Sequence, residues 1–166
     1  MRIGAKRRLL AAAALGLGVV AAAGVHQATR AAGCLPQASL APPESWLASQ
    51  INQTRTQHGV APLLVDSRLE SVARSWVVQM ADSGRVSHNP NLENQAPSDW
   101  EYLGENVGSG PSLQAINDAF VASADHYANI VDRNYNAMAV AAVNVNGVVY
   151  AVEDFEYSPS AADQCA

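Results

Sequence analysis

Apolar residues recur with helical spacing in three segments of this 166-residue chain. In the clearest segment they fall at i, i+3, i+4, i+7, i+8 and i+11, which predicts an amphipathic helix with one buried face. Ser67 and Glu70 have the spacing of a capping box at its start, and Asp82-Ser83-Gly84 ends it. The apolar positions of this helix are Leu69, Val72, Ala73, Trp76, Val77 and Met80.

Two further helices are predicted, one on each side of this segment. The first begins near Glu44, because Pro43 suits a first helical turn, and it ends at Gly59. The other begins at Ser112, directly after Pro111. Both have apolar residues on one face, so both are expected to pack against a common core.

The C-terminal part of the chain is rich in Val and Ala and reads as a β-hairpin. Segments 138–145 and 148–155 flank Asn146-Gly147, which is a strong hairpin signal. Helices followed by an antiparallel pair indicate an α+β fold. Segment 85–111 is rich in Asn, Pro, Gly and Ser, and it is predicted to be a long loop of the kind that often carries function.

The N-terminal residues have the composition of a secretory signal peptide. Four basic residues within 2–8 precede an uncharged run over 9–25, and small residues follow. We therefore expect residues 1–33 to be removed on export. The alternative is an uncleaved anchor helix, because an apolar run of 17 residues is the lower limit for crossing a bilayer.

Removal of the leader would leave 133 residues, enough for one domain with its own core. Residues 34–43 read as a linker, 44–157 as the domain and 158–166 as a C-terminal tail. These residues keep five Arg, no Lys and all 15 acidic residues, a net charge of about −10. Nucleic acid and anionic lipid surfaces are therefore poor partners, because phosphate binding needs clustered cations. No transmembrane anchor is expected after cleavage.

The two cysteines stand near the two ends of the processed chain. A disulfide between Cys34 and Cys165 is predicted, because domain termini often lie close together and an exported protein meets an oxidising compartment. The alternative is a lipid anchor on Cys34, which follows the small residues Ala31-Ala32-Gly33. That alternative would leave Cys165 unpaired.

Two histidines and one glutamate lie in or beside the predicted loop. His88 belongs to Ser-His-Asn-Pro, Glu105 to Gly-Glu-Asn, and His126 follows the third helix. Each residue alone has an ordinary structural explanation, as a surface histidine or a solvated loop carboxylate. Their irregular surroundings nevertheless make all three candidates for a functional site.

Taken together, these motifs resemble the CAP superfamily of cysteine-rich secretory, antigen five and pathogenesis-related proteins, in particular its bacterial SCP-like branch. The resemblance rests on the order helix, capped helix with Trp, His-Asn-Pro, Gly-Glu-Asn, His-x-x-Asn-Ile and hairpin over about residues 44–157. It implies a three-layer α-β-α sandwich with a central, mostly antiparallel sheet.

The resemblance also implies a cleft and assigns residues to it. His88 and His126 match the two cleft histidines, Glu105 matches the Glu of Gly-Glu-Asn, and Asn129 matches an Asn that ties the loop down. In some members the two histidines bind a divalent metal such as zinc, although the fold requires no cofactor. We expect weak binding here, because the spacing lacks the one-turn His pair of His-Glu-x-x-His sites.

Several positions depart from the family pattern, and three of them bear on the charge of the cleft. Ser123 stands where eukaryotic members have a second cleft carboxylate, and Asp125 either supplies that charge or points into solvent. Glu153 stands where many members have Gln. We expect Glu153 on an exposed face, and the alternative is a second carboxylate in the cleft.

The resemblance favours a secreted, monomeric, non-enzymatic module that binds an extracellular small molecule, lipid or protein. The alternative is an extracellular peptidase or esterase that uses the same cleft. Its better version is a metal-activated water between His88 and His126 with Glu105 as base. A Ser–His–Glu set drawn from Ser87 or Ser123 is the other version.

Overall fold

The computed structural model of the chain describes residues 1–3, 34–35 and 40–163. Nearly all of the predicted signal peptide, residues 36–39 of the predicted linker and Cys165 lie outside these residues. The described parts of the chain contain no helix that is both long enough and apolar enough to span a bilayer.

The described strands form one sheet in the order β1-β4-β6-β5-β3-β2. All neighbouring strands are antiparallel except β3 and β5, which are parallel. The strands are β1 (Arg2–Ile3), β2 (Cys34–Leu35), β3 (Leu64–Asp66), β4 (Tyr102–Gly110), β5 (Ala137–Val145) and β6 (Val148–Tyr157).

Helices cover both faces of this sheet. They are α1 (Pro42–Gln57), α2 (Ser67–Ser83), α3 (Leu92–Gln95), α4 (Leu113–Ala122), α5 (Ala124–Ile130) and α6 (Pro159–Asp163). The apolar stripe of α2 forms one buried cluster with residues such as Leu103 and Val152 of the sheet. On the opposite face, α1 and α4 form a second cluster with Met138 and Phe155 among others. The α+β class and the three-layer sandwich are confirmed.

Two of the predicted turns have the geometry that their residues favour. Asn146 and Gly147 both have positive φ, 53° and 84°, and they connect β5 to β6 as a tight hairpin. Gly84 ends α2 in the left-handed conformation with φ of 64°.

The predicted capping of α2 was wrong. Asp66, not Ser67, caps α2, because its carboxylate accepts a hydrogen bond from the Arg68 backbone N–H at 2.8 Å. Glu70 pairs with Arg74 instead of closing a capping box. Helix α1 begins at Pro42, two residues before the predicted start near Glu44, and Pro43 lies in its first turn as predicted.

The prediction of an unbroken loop over 85–111 was also wrong. This segment contains α3 and all of β4. Its glycines suggested a loop, but they allow close packing instead: a Cβ on Gly104 would lie 2.4 Å from the Tyr135 hydroxyl. A Cβ on Gly108 would lie 3.0 Å from the Phe120 ring. Tertiary packing therefore outweighs local composition in β4.

Candidate functional site

The candidate site is a cleft of about 570 Å³ at the β4 edge of the sheet. His88 reaches it from the segment after α2, in one helical layer, and His126 reaches it from α5, in the other. Glu105 lies on β4 between them. The residues that line the cleft are Met1, His88, Asp125, His126, Ala128 and Asn129.

His88 is held by the strand beneath it. Its Nδ1 lies 2.7 Å from Oε1 of Glu105, while 40% of its side chain stays exposed. The Trp76 indole N–H donates to the Ser87 carbonyl at 2.8 Å, which fixes the backbone just before His88. Because a carboxylate accepts the Nδ1–H, the Nε2 of His88 is left for a ligand.

Glu105 is fully buried and serves two partners. Its carboxylate accepts the Asn89 backbone N–H at 3.0 and 3.2 Å as well as the His88 ring. Burial raises the pKa of Glu105, and the bonds from Asn89 and His88 partly offset that rise. The carboxylate thus orients His88 from beneath the cleft and does not line it.

His126 is half-buried on the opposite wall. Its Nδ1 lies 2.8 Å from the Ser123 hydroxyl, and its ring stacks at a tilt on Phe120 with 4.8 Å between centroids. Burial lowers the pKa of His126, and the positive charges at the Met1 amino group and His88 lower it further. The neutral imidazole, the form that binds metals, is therefore favoured.

Two buried asparagines tie the layers together. The Asn129 amide donates to Oδ1 of Asn106 at 2.9 Å and to the Glu105 carbonyl at 3.3 Å. The Asn106 amide donates to the His126 carbonyl at 3.1 Å and to Glu153 Oε2 at 2.9 Å. These bonds fix α5, and with it His126, against β4.

Arg55 of α1 secures the other end of α5. Its guanidinium donates to the carbonyls of Ile130 and Asp132, each at 2.8 Å. The first bond satisfies a carbonyl in the last turn of α5, and the second fixes the chain just after the helix.

The expectation of an exposed Glu153 was wrong. Its side chain is fully buried, and it lies under the cleft on Asn106 rather than in the lining. Burial raises the pKa of Glu153 to about 7. The neighbouring Asp154 is also buried, and burial together with the charge of Glu105, its cross-strand neighbour, raises its pKa well above the ordinary range.

The remaining predicted residues divide between the cleft and its support. Asp125 is exposed and lines the cleft, and Ser123 contacts the back of the His126 ring. Among the residues that the structure describes, no group of three His, Cys, Asp or Glu side chains is placed to hold a metal ion. The cleft therefore offers two imidazole donors, His88 and His126, and no three-ligand group among the described residues.

Sequence reasoning missed two buried residues near the site, Asn106 and Asp154. Asn106 belongs to Gly-Glu-Asn, but no role was predicted for it. The signal for Asp154 was three acidic residues, Glu153, Asp154 and Glu156, within one apolar strand. Fully buried carboxylates are rare without a partner, so this pattern points to a buried polar layer.

Solved structures with the same fold come from bacteria and from a parasitic worm. An outer surface protein from Borrelia burgdorferi is similar with a TM-score of 0.63 at 17% identity, over 68% of this chain and 90% of that chain. An extracellular protein with an SCP domain from Bacillus anthracis is similar with a TM-score of 0.62 at 18% identity, over 72% of this chain and 44% of that chain. Venom allergen-like protein 4 from Schistosoma mansoni is similar with a TM-score of 0.61 at 11% identity, over 74% of this chain and 92% of that chain. This chain thus spans less than half of the Bacillus protein.

No match was found among curated proteins. The profile of the cysteine-rich secretory protein family, CAP, matches residues 48–155, a span that contains His88, Glu105, His126 and most of the hairpin. The chain therefore belongs to the CAP family of cysteine-rich secretory proteins.

Proposed function

We propose that this protein is an exported, non-enzymatic binding module whose ligand occupies the cleft between His88 and His126. The observation that carries the proposal is the shared arrangement of the two rings. Each engages the protein through Nδ1, one with Glu105 and the other with Ser123, and both line the same open cleft. Two Nε2 atoms are therefore free to contact one ligand.

A divalent cation such as zinc suits these donors as an auxiliary ligand. Neutral imidazole is the commonest protein ligand for zinc, and the carboxylate behind His88 strengthens it as a donor. The acidic charge of the processed chain also favours a cation. With only two protein donors, solvent or a bound molecule would complete the coordination, so we expect micromolar rather than tighter affinity.

The geometry gives less support to the hydrolase alternative. Glu105, the proposed base, is fully buried and already accepts bonds from His88 and Asn89, so it has no direct route to a water in the cleft. The Ser–His–acid set is also divided, because Ser123 contacts His126 whereas Glu105 contacts His88.

Export is the second part of the proposal. Residues 1–33 have the charged, apolar and small-residue order of a signal peptide. Two similar structures are described as an outer surface protein and an extracellular protein. Release into the medium is favoured over a lipid anchor on Cys34, because Arg30 interrupts the apolar stretch that a lipobox requires.

Zinc titration by calorimetry tests the cleft. We expect one ion to bind per chain, and His88→Ala together with His126→Ala to abolish the heat. His58→Ala is the matched control, since His58 is exposed at the end of α1 and outside the cleft. Equal binding by the double variant and the native chain would contradict the metal site. Turnover of peptide or ester substrates that disappears in the double variant would favour the hydrolase.

A further inference from the structure

Strand β4 has one fully paired edge and one open edge. On the first side, β6 pairs with all nine residues of Tyr102–Gly110. On the other side, the described chain pairs only Leu103 and Gly104, with Ile3 and Arg2 of the N-terminal segment. The edge of β4 beside the cleft is therefore occupied solely by residues of the predicted leader, as far as the described residues show.

Hydrogen bonds define the register of this pairing. The Glu105 N–H donates to the Met1 carbonyl at 3.1 Å, and the Met1 nitrogen donates to the Glu105 carbonyl at 2.9 Å. Because bonded and non-bonded pairs alternate in antiparallel sheets, Ile3 and Leu103 form the next bonded pair. Arg2 lies between them, and its N–H points away from β4.

This edge runs between the two histidines. Glu105 contacts His88 on one face of β4, and Asn106 contacts the backbone of His126 on the other. Met1 lines the same cleft as both rings. A strand added here thus borders the cleft, with main-chain bonds to β4 and a residue that lines the cleft with both histidines.

The edge lacks the usual protection against strand addition. Tyr102–Gly110 contains neither Pro nor Lys, and its one charged side chain, Glu105, is buried beneath the strand. Removal of residues 1–33 would take away the main-chain partner of Glu105 along this edge. The Glu105 N–H and carbonyl would then be unpaired on an open sheet edge, which is a template for an added strand.

Charge indicates the nature of that partner. All 15 acidic residues lie outside the leader, whereas residues 1–8 carry four basic side chains. A basic segment is therefore attracted to the processed domain, as opposite net charges steer association.

We propose that the open edge of β4 binds an extended, basic peptide segment of a partner protein as an added antiparallel strand along 103–105. One residue of that peptide lines the cleft together with His88 and His126, as Met1 does. Main-chain bonds give the affinity, and the cleft selects the side chain. The inference rests on the proposed function in taking the cleft as the ligand site, but it requires no metal.

A synthetic peptide with the sequence of residues 1–8 is the probe. The protein is the processed chain from Cys34, which keeps both hydrophobic clusters, since all their members lie within residues 40–155. In chelator-treated buffer, we expect saturable binding and hydrogen exchange at least about tenfold slower at the amides of Leu103 and Glu105. The Gly104 amide is the internal control, because it faces β6 and should not change.

Two N-methylated peptides form a matched pair. Methylation at Ile3 removes an N–H that faces β4, so we expect binding at least about tenfold weaker, which corresponds to ~1.4 kcal/mol. Methylation at Arg2 alters an N–H that faces away, and binding should change by less than about threefold, as for a group that makes no hydrogen bond. The reversed sequence, with the same charges, should not protect the two amides.

Three results would overturn the inference: equal binding by both methylated peptides, equal protection by the reversed peptide, or unchanged exchange at Leu103 and Glu105. The first two would indicate charge attraction without strand addition. A chain that binds no zinc yet shows the methylation pattern would remove the metal and leave strand addition standing. Zinc binding without the methylation pattern would support the metal site and contradict strand addition.

Discussion

Glu105 illustrates how one buried carboxylate organises the cleft. Burial alone would disfavour its charge, but the Asn89 N–H and the His88 ring provide hydrogen bonds to its oxygens. Its position on a strand, rather than on a loop, fixes those bonds to the sheet. Its role is therefore to position His88, and the ligand meets the imidazole instead.

Glu153 links the polar layer under the cleft to pH. Burial raises its pKa to about 7 from an ordinary value of 4.5. A carboxyl whose pKa is higher in the folded state is most favourable to folding below its unfolded pKa, and this contribution is lost as pH rises through the folded value. Stability should therefore fall between about pH 4.5 and 7. Burial beside Asp66 also raises the pKa of Glu156, to about 9, which extends the same trend to higher pH.

Glu153→Gln should flatten this dependence. The amide oxygen of the new side chain can still accept the hydrogen bond from the Asn106 amide, and the side chain at position 153 then carries no charge at any pH. We expect a stability gain of roughly 1–3 kcal/mol at pH 8 and little change at pH 4.5. Urea unfolding at several pH values measures it, and Asp82→Asn, at an exposed acid, is the control. An equal effect of Glu153→Gln at both pH values would refute the buried, proton-linked carboxyl.

At the level of elements, β4 shows where sequence reasoning fails. The hairpin and α2 could be predicted, because Asn146-Gly147 and the apolar stripe of α2 act locally. Strand β4 could not be predicted, because its glycines leave room for side chains that are distant in the sequence. Tyr135 lies against Gly104, and Phe120 lies against Gly108. The local sequence pattern around β4 does not reveal such long-range contacts.

Gly104→Ala should destabilise the fold by about 1–3 kcal/mol through overpacking. The new Cβ would lie 2.4 Å from the Tyr135 hydroxyl and 3.0 Å from its Cζ. Tyr135→Phe removes the nearer atom, so the double variant should lose less stability than the sum of the two single changes. Chemical unfolding of all four chains gives the coupling energy. Strict additivity would show that the hydroxyl does not limit this position.

At the scale of the whole molecule, Cys34 at the start of the processed chain and helix α6 near the C-terminus both lie close to β3. Cys34 pairs with Asp66 across β2 and β3. Arg68 joins Asp66 to Ser160 of α6, at 3.0 Å from the Ser160 hydroxyl. Cys165 lies five residues after Ser160 in the sequence, which supports the proposed Cys34–Cys165 disulfide.

The disulfide is testable on the protein recovered after export. Intact mass should be lower than that of the reduced chain by two hydrogens. Reduction should cost about 2–5 kcal/mol of stability, as is typical for small exported domains. Cys165→Ser alone should lower the free energy of unfolding by as much as reduction of the disulfide does. Two thiols that react freely in the native protein, or an added lipid mass on Cys34, would rule out the Cys34–Cys165 disulfide.

The same scale explains which parts of the site were predictable. His88, Glu105 and His126 are recognisable from motif order, although 38 residues separate the two histidines. That Glu105 supports one histidine and Ser123 the other depends on how two helical layers meet across β4. The buried position of Glu153 likewise depends on Asn106, 47 residues away in the sequence.

The central claim is that His88 and His126 present their Nε2 atoms to one ligand. Nitrogen-detected NMR of the imidazoles during zinc titration tests it most directly. We predict that the Nε2 signals of both residues shift together and saturate at one equivalent, while His58 stays unchanged. Independent shifts at different zinc concentrations, or a response of His58 equal to that of the cleft histidines, would contradict a shared site.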